Sequence, residues 1–92
     1  LKSQIRGIAD IQIELLNKRL HDNDLRLEVS EAVLEKIADL GYDPVYGARP
    51  LKRVIQNRIE NALAQQVIKG DYEPGDCIYI DVENEIFSFG KK

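Results

Sequence analysis

Arg49, Lys52 and Arg53 stand at the start of a long amphipathic stretch, directly behind the turn Gly41-Tyr42-Asp43-Pro44-Val45-Tyr46-Gly47. Three cations in that setting suit phosphate. A helix start offers unpaired backbone N–H groups and the positive end of the helix dipole, and a guanidinium adds its own fork of donors. Arg49 is the functional candidate of the three. A cation at the positive end of a helix costs a few tenths to about 1 kcal/mol. Stability alone would favour Asp or Glu there, and a residue held against that preference is what a functional site produces. The plainer reading makes Arg49 a solvated helical arginine. For Lys52 and Arg53, solvation or contact with a neighbouring domain is expected rather than catalysis.

The remaining chemistry-bearing residues do not complete an enzyme. No glycine-rich loop ends in Gly-Lys-Ser or Gly-Lys-Thr, and no strand-end acidic pair stands ready for magnesium. His21 is the one histidine, lies in the polar run 21–24 and lacks recognisable triad partners, so it is expected to be exposed. Cys77 opens a strand pattern without a metal-ligand cluster and is expected to fill a half-buried sheet position; no metal site is predicted. Asp43 is expected to cap its own turn or to tie to a nearby arginine. Tyr42 is expected to cover the core, whereas Tyr46 either does the same or shapes a ligand or interdomain surface. The chain has a phosphate-binding element without a base, a nucleophile or a pocket, so the isolated chain is expected to be inactive as an enzyme.

The elements that must position Arg49 are legible from periodicity. Ile5, Ile8, Ile11 or Gln12, Leu15, Leu16 and Leu20 recur at helical spacing over 2–20 and are expected to face inward. Ile13 lies off that stripe and is assigned to a neighbour. Leu25 to Val29 alternates apolar and charged residues as a half-buried strand does. Ser30 is a plausible N-cap for a second helix with Val33, Leu34, Ile37, Ala38 and Leu40 inward, and Gly41 is placed to end it in a left-handed conformation. The third helix is predicted to begin near Ala48, with Pro50 in its first turn. Leu51, Ile55, Ile59, Leu63 and Val67 form one line with Val54, Ala62 and Ile68 beside it, closed by Gly70. Residues 77–82 and 86–89 form a hairpin about Asn84 and Glu85, to which the 25–29 strand joins as a third. The predicted fold is α+β, with three helices on one face of a small three-stranded sheet.

Ninety-two residues make one small domain, spanning 1–92, that buries about 60–65% of its extended surface. The net charge of -3 argues against general nucleic-acid binding. The charge is polarised, however. Arg49, Lys52, Arg53 and Arg58 fall in a stretch without acids, while residues 71–85 hold six acids and no base. One cysteine, unable to form an internal disulfide, points to a reducing compartment. No secretory signal or apolar run of membrane length is read, so no membrane partner is predicted. Leu1 leads almost directly into helical sequence, and the chain is expected to be cut from a longer one.

The run from Gly41 to Arg53 resembles, nearly letter for letter, the second sensor segment of Clp ATPases of the heat-shock-100 class. The likeness is strongest to the C-terminal small domain of the second AAA+ module in ClpB-type protein disaggregases. It covers essentially the whole chain: Gln12 to Leu20 is similar to that domain's first helix. Ile55-Gln56, Ile59-Glu60-Asn61 and Leu63-Ala64-Gln65-Gln66 are similar to its long helix, and Gly75-Asp76 precedes its hairpin. The Gly-Ala-Arg core belongs to the wider class, and ClpC- and ClpA-type unfoldases share much of the rest. Ala62 departs from the pattern, since relatives often carry proline there.

The resemblance implies a three-helix AAA+ lid domain of an ATP-dependent hexameric ring chaperone that unfolds and disaggregates proteins. The alternatives are the same domain of a protease-associated unfoldase, or a stand-alone interaction domain. Arg49 would be the sensor arginine reaching the β/γ-phosphates of Mg-ATP held by the large domain of the same subunit, with Gly47 and Ala48 at the close approach to the nucleotide. The implied partners are that large domain, neighbouring subunits of a homohexamer, aggregated or unfolded protein, and a DnaK-type chaperone system. The implied setting is stress response and protein refolding in the cytoplasm, or an organelle matrix in a eukaryote.

Overall fold

The computed structural model describes residues 2–92, Lys2 by its backbone only. Helix α1 (Lys2–His21) leads into strand β1 (Arg26–Val29) and helix α2 (Glu31–Gly41). A long helical rod follows: α3 (Leu51–Ile55), a π-helical turn (Gln56–Glu60) and α4 (Asn61–Lys69). Strands β2 (Cys77–Glu83) and β3 (Ile86–Lys91) complete the chain. The sheet order is β1-β2-β3. Strands β1 and β2 run parallel with Leu27 opposite Ile78, and β2 and β3 run antiparallel with Ile80 opposite Phe89. The α+β plan and the third strand expected from the sequence are both present.

Local signals account for most boundaries. The Ser30 side chain accepts from the Val33 N–H and caps α2, and its hydroxyl donates to Asp81 Oδ1 on β2 at 2.7 Å. Helix and sheet are thereby tied at one residue. Asn84 and Glu85 both have positive φ, at 51° and 67°, the backbone that a two-residue hairpin turn requires. The outer edge of β1 is occupied by a side chain, because the Leu27 N–H donates to Asn17 Oδ1. That contact removes an open donor from a sheet edge. Gly70 closes α4 in the left-handed conformation, as expected.

One apolar cluster fills the space between helices and sheet, including Ile5, Ala9, Ile13 and Leu16 from α1, Ile37 from α2, and Ile78 and Ile80 from β2. The inward face of α1 therefore differs from the predicted stripe. Ile13 is buried, whereas Ile8, Ile11 and Leu15 are exposed, Ile11 at 61%. Helix α1 carries two apolar faces, and the Ile and Leu residues on the second one made the periodicity point the wrong way. Leu40 and Ile68, placed inward by pattern, are also exposed.

The long rod keeps its apolar line by a device that periodicity did not reveal. A strict spacing of four drifts about 40° per step in a helix of 3.6 residues per turn. In the π-helical turn the Asn61 N–H donates to the Gln56 carbonyl, five residues back, which widens the turn and absorbs part of that drift. Leu51, Ile55, Ile59 and Leu63 are all buried as a result, and Val67 packs partly buried against them. Among the described residues no helix is long and apolar enough to cross a membrane.

Candidate functional site

The turn that carries Arg49 is built from Asp43. Its N–H donates to the Gly47 carbonyl at 2.8 Å, and the Gly47 N–H donates back to the Asp43 carbonyl at 2.7 Å. Its carboxylate Oδ1 accepts the N–H groups of Val45 and Tyr46 at 2.7 and 3.0 Å. Asp43 thus caps its own turn, one of its two expected roles. Gly47 has φ +66°, a conformation that side chains other than glycine rarely adopt. Pro44 holds one dihedral of the same loop.

The chain then steps into the rod. The Arg49 N–H donates to the Tyr46 carbonyl at 3.2 Å, the Leu51 N–H to Ala48 and the Val54 N–H to Pro50, both at 3.0 Å. The helix starts at Leu51 with Pro50 as its cap, three residues later than the sequence pattern suggested. Ala48, Arg49 and Pro50 form a turn of their own. Among the described residues no backbone acceptor outside the helix takes the N–H groups of Lys52 and Arg53. Donors are therefore left at this helix start, as at any other.

The base of this assembly is fixed by burial. Leu51 lies in the core against Gly41, the last residue of α2. Gly41 is not left-handed, as was expected of a helix-ending glycine; it remains helical and makes room for Leu51. Ala48 is half-buried against the core, and from there the loop projects outward. Tyr42, Val45, Tyr46 and Arg49 are all exposed. Both tyrosines were candidates to cover the core, and neither does.

The Arg49 guanidinium lies over the Tyr46 ring, 5.2 Å from its centroid. Among the described residues no carboxylate pairs with it, whereas Arg6 pairs with Glu31 and Glu35, and Arg19 with Glu60 at 2.5 Å. Lys52 and Arg53 are exposed on the first turn of the rod. Lys52 also borders an open groove of about 630 Å³ between α1 and the rod, shared with Gln12, Leu15, Lys18 and Glu60. Gly47, Ala48 and Arg49, neighbours in sequence, lie across the two successive turns that lead into the rod, while His21 is exposed and Cys77 half-buried. The Tyr46–Arg49 contact was missed by sequence reasoning. Its available signal was an aromatic three residues before the arginine across a Gly-containing turn.

Helices layered on a small mixed sheet, with a Gly-Ala-Arg turn entering the long rod, are the plan of the small lid domain of an AAA+ module. The chain belongs to the ClpB family: residues 1–80 match the model for the C-terminal, D2-small domain of ClpB protein. It is 51% identical over 84 residues to "Chaperone protein ClpB" of Gloeobacter violaceus, which covers 91% of this chain and 10% of that protein. It is 43% identical over 90 residues to "Chaperone protein ClpB 2" of a Nostoc species, covering 98% of this chain and 10% of the relative. Against "Chaperone protein ClpB3, chloroplastic" of Arabidopsis thaliana the identity is 42% over 90 residues, 98% of this chain and 9% of that protein. The chain spans about a tenth of the length of the curated relatives it matches.

Proposed function

We propose that this domain, residues 1–92, is the nucleotide-sensing lid of an ATP-driven ring chaperone that unfolds and disaggregates proteins. The observation that carries the reading is Arg49. Its guanidinium is exposed, has no carboxylate partner among the described residues, and stands beside a helix start that still has N–H groups to offer. Charge-assisted hydrogen bonds from such a group suit the terminal phosphates of ATP. The residues present fit that end of the nucleotide only. Arg49 would contact the phosphates, while Gly47, whose Cα side faces open space, and Ala48 would allow a close approach. ATP supplies the free energy of phosphoryl transfer when bound; this chain orients one cation toward it.

Two further features support a role within a larger assembly. Ile8, Ile11 and Leu15 form an exposed apolar face on α1, a surface that a large domain of the same module or a neighbouring subunit of a homohexamer would cover. The relatives are named chaperones, which supports unfolded or aggregated protein as substrate; a DnaK-type chaperone system as partner belongs to the same reading. A cytoplasmic or organelle-matrix setting follows from the same reading.

The test has two arms. The isolated 92-residue chain should show no phosphate release with MgATP and no tight binding by calorimetry. In the full-length protein with its first ATPase module disabled, Arg49→Ala should impair nucleotide handling. Turnover by the isolated chain that tracks with it through purification, or an Arg49→Ala protein indistinguishable from its parent, overturns the proposal.

A further inference from the structure

We propose that Tyr46 is the positioning residue of Arg49, holding the guanidinium in place before any phosphate arrives. The inference rests on the phosphate reading of Arg49 given above. Its geometry is independent of that reading. The guanidinium is 5.2 Å from the ring centroid, within the reach of a cation–π contact. Tyr46 is 59% exposed, so its ring is not explained by the core.

The backbone holds Tyr46 and Arg49 in one turn. The Tyr46 N–H donates to Asp43 Oδ1, and the Tyr46 carbonyl accepts the Arg49 N–H. The next residue, Gly47, is bonded to Asp43 in both directions. Both backbone groups of Tyr46 are therefore engaged, and its main chain is set relative to Arg49. A flexible arginine loses rotamer freedom when it binds phosphate, and ordering it beforehand removes that penalty from the binding step.

The chemistry of the partner matters. A carboxylate beside Arg49 would also order it, but would neutralise the charge and compete with phosphate for the same N–H groups. An aromatic face attracts the cation through its quadrupole and leaves the in-plane N–H donors free. Among the described residues Arg49 has the aromatic partner and no carboxylate.

Tyr46→Leu removes the ring, and Tyr46→Phe keeps it without the hydroxyl. In NMR spectra of the 92-residue chain, the Arg49 δ-protons should carry a ring-current shift in the parent and in Tyr46→Phe, and lose it in Tyr46→Leu. In the full-length protein with its first module disabled, Tyr46→Leu should weaken MgATP affinity or turnover about two- to fivefold, the range of an exposed cation–π contact. Tyr46→Phe should stay at the parent level, and Tyr46→Leu should add nothing in an Arg49→Ala background. Impaired Arg49→Ala alongside Tyr46→Leu at parent level overturns the positioning role alone. A Tyr46→Leu loss that persists undiminished in the Arg49→Ala background also overturns it, since the ring would then act elsewhere. Arg49→Ala at parent level overturns the phosphate reading, and this proposal with it.

Discussion

Gly41 and Leu51 touch through their backbones: a Cβ on Gly41 would sit 2.8 Å from the Leu51 Cα and 2.6 Å from its Cδ1. This close approach joins the end of α2 to the start of the rod. Everything between them, including Tyr46 and Arg49, is a loop closed at its base by that contact. Alanine in place of a helical glycine usually gains about 1 kcal/mol. Here the added carbon meets a backbone atom that cannot swing aside, so Gly41→Ala should lose about 1–3 kcal/mol net, the range for overpacked cores. Urea unfolding measures this. A variant as stable as the parent would mean that the two helices are not in contact.

Ile59 is fully buried and lies in the π-helical turn. Ile59→Ala should lose about 2–5 kcal/mol through the cavity it leaves. That is a large share of the stability of a domain this small. Ile68, next to Val67 on the outer side of the rod and exposed, is the control; Ile68→Ala should fall within about 0.5 kcal/mol of the parent. Thermal unfolding with equal losses at both positions would contradict the packing of the rod.

What could be read from the sequence divides by range. Ser30 as a cap, the Asn84–Glu85 turn, Gly70 and the alternation of β2 are local features, and all appear as expected. Gly41 was misassigned because a glycine after a helix has two uses, a left-handed turn or a close approach, and only the position of Leu51 distinguishes them. The inward face of α1 was misread for a related reason. Ile8, Ile11 and Leu15 are as apolar as core residues, and the sequence cannot say which of two faces meets this core. At the candidate site, the residue types in the Arg49 turn were legible. The outward direction of Tyr42 and Tyr46 was not, because it depends on how Leu51 and Ala48 anchor the loop.

The exposed face of α1 gives a separable expectation. Ile11→Lys should leave the domain's unfolding free energy within about 0.5 kcal/mol of the parent, as for most surface substitutions. In the full-length protein it should weaken assembly or domain docking, because a lysine would have to be desolvated in an apolar contact. Sedimentation velocity on the full-length variant checks this. Unchanged assembly would show that the face stays in water.

Asp81 links pH to folding. The Ser30 hydroxyl, and then the Val82 N–H, hold its carboxyl below the usual aspartate value despite some desolvation. A depressed folded value means the carboxylate's contribution is complete above the unfolded value. It is lost as pH falls through the folded one. Below about pH 4, stability should therefore decline, and Asp81→Asn should flatten that part of the decline. Urea midpoints between pH 2 and 6 for both proteins supply the comparison. Parallel curves would mean that the Ser30–Asp81 bond does not distinguish the folded carboxylate.

The central claim is that Arg49 senses phosphate, and its most direct measurement is ATP turnover against MgATP affinity in the full-length protein with the first module disabled. Arg49→Ala should leave the domain folded, because the side chain projects from an exposed turn. Removing a charge-assisted contact made mainly in the transition state should lower turnover more than affinity, and one made in the ground state should lower affinity instead. Arg49→Lys should recover only part of the loss, since it restores the charge but not the planar fork. An Arg49→Ala protein that folds, assembles, binds MgATP and hydrolyses it at the parent rate would contradict the claim.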